Sequence, residues 1–207
     1  IDLMRDVIII TISTSKRNNP QIWFIMDSTK TIIYPIRTNY SYLKVGKFVD
    51  MDLLDRCLEE IVGSLNERPE ITVFGKKCNQ RRNVGFFSDE SIGYRYSGQL
   101  SKSKQLTPSL KLLLEIVNRE FDGNFNGILV NEYIDGNDTI GAHSDEEKGL
   151  GKSGVVGISM GATRKFRLRN KATKEKTDIF MTSGMILQMG GNFQKEFTHE
   201  IPREARS

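Results

Sequence analysis

Short runs of β-branched and aromatic residues separated by Gly, Asn, Asp and Lys fill most of this chain, and two stretches replace that rhythm with helical spacing. The runs Val7 to Ser13, Ile22 to Met26 and Thr31 to Tyr34 predict a hairpin or small meander. From Asp50 to Leu65 the apolar positions Leu54, Cys57, Leu58, Ile61 and Leu65 recur at intervals of three and four, with Asp50 placed to cap the start and Gly63 near the end. A second helix is predicted from Thr107, whose hydroxyl can cap with Pro108 in the first helical position. Leu110, Leu113, Leu114 and Val117 are its buried face, and "FDGNFNG" is its end. Beyond Gly127 come six strand-length runs, "GILVNEYI", "GVVGISMG", "KFRLR", "TDIFM", "GMILQMG" and "KEFTHEI". Helices that precede such a block, rather than alternating with its strands, predict a β-sandwich or barrel and not a doubly wound α/β sheet.

Composition narrows the setting. The 207 residues suit one domain, and 30 Lys and Arg against 26 Asp and Glu leave a net charge of +4. With 38% hydrophobic and 27% charged residues the chain can bury a core, and it has no apolar run near the roughly 18 residues a membrane span needs. Two cysteines, Cys57 and Cys78, without C-x-x-C spacing, fit neither a disulfide scaffold nor a zinc finger, and point to an intracellular, reducing compartment. Ile1 in place of Met, with no small-residue cleavage site behind it, gives the expectation of a fragment of a longer chain.

The chemistry gathers around the only two histidines. His143 is followed two positions later by Asp145, and His199 comes 54 residues after the Asp, in another strand-like run. Residues i and i+2 of an extended segment face one side, so the first pair can present an imidazole and a carboxylate to one ion. A second imidazole from a neighbouring strand would complete the two-His, one-carboxylate arrangement of non-haem Fe(II) oxygenases, with positions left open. Spacing alone equally allows a strand-end histidine and an unrelated surface histidine.

Longer segments decide the matter by resemblance. "VFGKK" (Val73 to Lys77), "RRN" leading into "GYRYSG" (Gly93 to Gly98), "NEYIDGNDTIGAHSDEE" (Asn131 to Glu147), "GISMGATRKFRLRNK" (Gly157 to Lys171) and "LQMGGNFQKEFTHEIPRE" (Leu187 to Glu204) resemble, in order and spacing, segments of the AlkB family of Fe(II)- and 2-oxoglutarate-dependent nucleic-acid dealkylases. The resemblance implies a mainly β fold with flanking helices: a double-stranded β-helix (jelly roll) core under an N-terminal nucleotide-recognition lid. It divides the chain into an extension of unknown role over 1–36 and an AlkB-like dioxygenase domain over 37–207, with helix and lid at 37–125 and β-helix core at 126–207. It implies oxidative demethylation of bases such as 1-methyladenine and 3-methylcytosine in single- or double-stranded DNA or RNA by a monomer. Fe(II), 2-oxoglutarate and O2 are the implied cofactors, ascorbate the reductant, and formaldehyde, succinate and CO2 the products. His143, Asp145 and His199 match the iron ligands, and Asn131 and Tyr133 the contacts to 2-oxoglutarate. Tyr96 matches an aromatic that stacks on the flipped base, Glu147 a carboxylate near the base edge, and Arg82 an arginine of the lid.

One feature departs from the family pattern. An Arg-x-Asn-x-x-x-Arg segment would follow the distal histidine, its first arginine pairing with the far carboxylate of 2-oxoglutarate. Arg203 and Arg206 are too close to His199 to match it, so the core is expected to lack its last strand. Between Thr163 and Thr177 seven basic residues face one acid, Glu175, and alternate residues Lys165, Arg167 and Arg169 are expected to contact phosphates beside the flipped nucleotide. Two rivals share these features in part: a catalytically silent nucleic-acid-binding module of the same fold, and an oxygenase acting on a protein or small molecule.

Overall fold

The computed structural model describes residues 6–12, 29–32, 36, 38–96, 99–145 and 152–204, and for the first two of these segments only the backbone. In chain order the elements are β1 (Asp6–Ile12), β2 (Thr29–Ile32), β3 (Ser41–Phe48), α1 (Met51–Ile61), β4 (Glu70–Val73), β5 (Lys76–Asn79), β6 (Asn83–Phe87), β7 (Gly93–Tyr96) and β8 (Gln99–Lys104). They continue with α2 (Pro108–Glu120), β9 (Gly127–Tyr133), β10 (Ile140–His143), β11 (Val155–Met160), β12 (Arg164–Asn170), β13 (Lys176–Met181), β14 (Met185–Gly191), α3 (Phe193–Glu196) and β15 (Phe197–Ile201).

Both helices form where spacing predicts them. The Asp50 carboxylate accepts the Leu53 N–H at 2.9 Å, and the Thr107 hydroxyl accepts the Leu110 N–H at 3.3 Å, so each first turn has a side-chain cap. Leu110, Leu113, Leu114 and Val117 are all buried, while Leu65 lies beyond the end of α1. The six C-terminal runs become β9, β11, β12, β13, β14 and β15, the last after the one-turn helix α3.

The strands form a nine-stranded sheet, β2-β3-β14-β11-β1-β9-β6-β8-β7, a four-stranded sheet, β10-β15-β12-β13, and the separate hairpin β4-β5. Alternation along each strand sorts its side chains between two cores. Leu129 and Tyr133 of β9, Val155 of β11 and Leu187 and Met189 of β14 meet Phe166, Leu168, Ile179, Met181 and Ile201 of the small sheet. Ile128 and Val130, Val156 and Ile158, and Ile186 from the same three strands face the other way, onto Leu53, Leu54 and Cys57 of α1 and Leu110, Leu113 and Val117 of α2. Two facing sheets, antiparallel except where β6 meets β8, with helices outside the larger one are the jelly roll the sequence leads one to expect. No helix among the described residues is long and apolar enough to cross a membrane.

The N-terminal runs are arranged differently from the expected meander. β1 pairs with β9 on one side (Ile9 opposite Val130) and β11 on the other (Ile9 opposite Ile158), while β2 pairs with β3 at the sheet edge. A continuous Val/Ile run is what a central strand buried on both faces carries, and its partners are far along the chain. Residues 6–12 are therefore built into the large sheet, whereas Ile22 to Met26 lies outside the described residues.

A buried guanidinium clamps one end of the small sheet, where β10 and β12 begin and β15 stops. Arg164, fully buried at the start of β12, donates to the Asp135 carbonyl at 3.1 Å and the Asp138 carbonyl at 2.8 Å, both just before β10. It also donates to the Pro202 carbonyl at 3.3 Å and the Glu204 carboxylate at 3.3 Å, both just after β15, and lies 5.3 Å from the Tyr133 ring. Arg164→Met removes the cation and strands these acceptors in a dry interior, so urea unfolding should show a loss of about 3 kcal/mol or more. A loss below about 1 kcal/mol would show that the guanidinium is not the clamp.

Candidate active site

β10 and β15 run antiparallel with His143 directly opposite His199, after a register shift that separates His143 from the Ile140–Ile201 pair. The imidazole centroids are 4.3 Å apart. Asp145 follows β10 by two residues, and its carboxylate oxygens lie 3.8 Å from His143 Nε2 and 3.5 Å from His199 Nε2. All three residues offer ligand atoms within 4.8 Å of one another. Those separations are too long for good hydrogen bonds and suit an ion between ligands that each bind at roughly 2 Å.

The surroundings prepare these atoms for a cation. His199 is 2% and Asp145 4% exposed, and among the described residues Asp145 Oδ2 and both His199 nitrogens have no hydrogen-bond partner. Burial drives the His199 pKa well below its ordinary value, reinforced by His143 and Lys171, so the imidazole is neutral with a lone pair to give. Burial likewise raises Asp145, with His143 pulling the other way. His143 Nδ1 lies 2.8 Å from the Gly141 carbonyl; a proton there donates to that oxygen and leaves Nε2 free to ligate. The Asp145 N–H donates to Gln194 Oε1 at 3.0 Å and the Ser144 hydroxyl to the Phe197 carbonyl at 2.8 Å, tying the Asp145 segment to α3 and β15. Phe166 stacks on His199 with centroids 5.4 Å apart.

Asn131 and Tyr133 share the inner face of β9, each 1% exposed. Asn131 Oδ1 accepts from Arg82 Nε at 2.7 Å, and burial pushes the Tyr133 phenol up to about 12, a neutral donor at any working pH. Arg82 is itself buried and lies 5.1 Å from the Tyr96 ring centroid. Tyr96 meets His143 at 6.1 Å and 86°, perpendicular to the imidazole, so stacking a base between the two rings requires Tyr96 to turn. Glu147 lies outside the described residues.

The structure does not bring Arg167 and Arg169 to this site. On β12 the inward positions are Phe166 and Leu168, with Leu168 opposite His199, so Lys165, Arg167 and Arg169 alternate onto the other face of the small sheet. Arg167 is occupied there by Asp178, at 2.6 and 2.8 Å, with Glu200 at 3.9 Å. The charge count finds the cluster but not the acids that neighbouring strands set against it. Sequence reasoning also passes over Gln194, Arg164 and Phe74. Phe74 is fully exposed at the β4-β5 turn with φ +48, and an aromatic before Gly between two short polar strands was its visible signal.

If the trio holds an ion, a divalent probe such as Co(II) should bind one to one and raise the thermal midpoint, by the equivalent of about 2.7 kcal/mol at a hundredfold excess over Kd. Asp145→Asn and His199→Ala should abolish that rise. Asp145→Asn should leave the metal-free chain no less stable, because it replaces a buried carboxylate that lacks a full set of partners. A metal-induced shift that survives both changes would place the ion elsewhere.

Comparison with known proteins agrees with this geometry. Residues 46–207 match the 2OG-Fe(II) oxygenase superfamily. An uncharacterized protein of Acanthamoeba polyphaga mimivirus is 28% identical over 161 residues, 77% of this chain and 83% of that protein. The DNA oxidative demethylase ALKBH2 of Homo sapiens is 28% identical over 158 residues, 72% of this chain. The alpha-ketoglutarate-dependent dioxygenase alkB homolog 3 of Mus musculus is 33% identical over 171 residues, 77% of this chain. The matched part spans 59% of each of these last two proteins. With its match running through the segment from β4 to β8, both sheets and the His-Asp-His cluster, the chain belongs to the 2OG-Fe(II) oxygenase superfamily, on the AlkB-like side of it.

Proposed function

We propose that this chain oxidatively demethylates N-alkylated bases such as 1-methyladenine and 3-methylcytosine in nucleic acid. The observation that carries the reading is the placement of Tyr96, an aromatic from the lid, against His143 of the cluster. A platform for a flat heterocycle thus adjoins the ligands of an oxidising metal. The names of the similar proteins, a DNA oxidative demethylase among them, support the same class of substrate.

His143, Asp145 and His199 would hold Fe(II), and their buried orphan atoms fit that ion. Asn131 and the neutral Tyr133 phenol would donate to 2-oxoglutarate. When bound, these groups with dioxygen supply oxidation of an N-methyl to a hydroxymethyl that departs as formaldehyde, with 2-oxoglutarate leaving as succinate and CO2. The protein's part is to hold the base on Tyr96, keep the site dry, and place the Asp145 carboxylate near a lesion whose methylation makes it cationic and easy to extrude.

The β4-β5 hairpin suits contact with a duplex. Its tip offers Phe74 as an apolar wedge, with Lys76 and Lys77 exposed directly behind for the backbone. Wedges of this kind insert between base steps where a duplex must open, and a single strand has no need of one.

The test is formaldehyde and succinate release from oligonucleotides carrying 1-methyladenine or 3-methylcytosine, as DNA and as RNA, with Fe(II), 2-oxoglutarate and ascorbate. Equal amounts of both products are expected, and succinate without formaldehyde would assign the oxidation to another substrate. Phe74→Ala should slow repair of double-stranded DNA about tenfold while leaving single strands within twofold, in line with the few kcal/mol that unstacking costs. Equal losses on both would return Phe74 to a structural role.

A further inference from the structure

Beside Tyr96, a cavity of about 120 Å³ is lined by Gln80, Arg82, Tyr94, Tyr96, Ser101 and Glu70, together with neighbours from the same lid segments. Three features of its wall stand out chemically. Arg82 is 4% exposed, yet among the described residues its hydrogen bond is to the neutral amide of Asn131 and no carboxylate pairs with it. Buried cations are otherwise paired, because an isolated one forfeits its hydration without return. Gln80 Oε1 and Ser101 Oγ, in the same wall, are buried without hydrogen-bond partners among the described residues. The acid at the rim, Glu70, is 3.0 Å from Lys77 Nζ and so is matched by its own cation.

A guanidinium with no carboxylate beside it and a Ser101 hydroxyl free to donate, with the Gln80 amide able to turn its NH2 inward in place of the unpartnered Oε1, suit a compact oxyanion. Its position narrows the choice. The cavity is walled by the lid and by β9 at Leu129, and none of Asn131, Tyr133, His143, Asp145 or His199 lines it. Tyr96 is the shared wall, with its ring in the cavity lining and perpendicular to His143. An anion held there would sit beside whatever stacks on Tyr96 rather than at the metal.

We propose that this cavity is a phosphate pocket, in which Arg82 takes the backbone phosphate adjoining the base that stacks on Tyr96 and Gln80 and Ser101 complete the contacts. The proposal rests on the nucleic-acid reading above and adds to it the point at which the strand is gripped. Arg82 is left uncompensated in the free chain so that the phosphate can be its counter-ion, which makes the grip specific for a charged linkage one nucleotide step from the reaction.

A cycle of paired changes tests it, using fluorescence anisotropy on a single-stranded oligonucleotide with one 3-methylcytosine. A neutral methylphosphonate replaces the linkage on the 5′ or the 3′ side of the lesion. Arg82→Gln should weaken binding of the intact strand about tenfold, the size a charge-assisted hydrogen bond carries, and one of the two methylphosphonates should do the same to the wild type. Together they should cost no more than either alone, and Arg82→Lys should restore part of the sensitivity to the neutral linkage. The ligand-free Arg82→Gln chain should melt no lower than the wild type, since it loses an unpaired buried charge; a merely structural arginine would lower the midpoint.

Independent, additive losses would overturn the pocket. So would an Arg82→Gln chain that loses 2-oxoglutarate affinity in calorimetry while keeping the full methylphosphonate penalty, which would assign the guanidinium to a carboxylate. The two readings separate cleanly. Formaldehyde release with an additive cycle keeps the demethylase and removes the pocket, whereas a non-additive cycle without formaldehyde keeps the pocket and removes the demethylase.

Discussion

Arg164 is the constraint from which the geometry of the cluster follows. Burying a guanidinium is costly unless its N–H groups meet acceptors, and those Arg164 finds are main-chain carbonyls from the turn before β10 and from the segment after β15, with Glu204 at the rim. Those two segments flank the strands that carry His143 and His199. Satisfying one cation therefore fixes how far β10 can slide along β15, and with it whether two imidazoles face each other. Its side also rests on Tyr133, so the same group borders the inner face of β9 that carries Asn131 and Tyr133. The segment around β4 to β6 is attached to the same turn, where the Arg68 guanidinium lies 2.9 Å from the buried Asp138 carboxylate and the Thr139 N–H donates to the Arg81 carbonyl.

Strand parity then distributes the chemistry. On β9 the odd positions Leu129, Asn131 and Tyr133 look between the sheets, while Ile128 and Val130 support the helices. Val84 and Phe86, from β6 beside it, face the same interior with Arg82 just ahead of them, and Tyr94 and Tyr96 continue the row on β7. A shift of one residue in any of these pairings would send an amide, a phenol or a guanidinium to the helix side and a valine into the pocket.

Much of this was legible in the residues. Both helices, their caps, six C-terminal strands and the order His-x-Asp then His were readable because each is a local pattern or a long string. Partner identity was not readable. Nothing in "VIIITIS" says that its neighbours are residues 127–133 and 155–160, since register across a sheet is decided by the whole two-sided burial pattern. The same blindness explains the cationic row on β12. Its alternation was plain, but which face belonged to the core depended on Leu168 lying opposite His199. The perpendicular pose of Tyr96, and the burial of Arg82 with no carboxylate beside it among the described residues, are facts of packing, and a one-dimensional string carries no trace of them.

β10 is the outermost strand of the small sheet, only four residues long, and its pairing with β15 is interrupted between its first and last residues. Such a strand has the least to keep it in place, and its amides belong to the part of a domain that opens first. Yet it carries one ligand and leads directly to another. A bound ion would do for this strand what a second hydrogen-bonded neighbour would do, so occupation of the cluster and closure of this sheet edge are coupled.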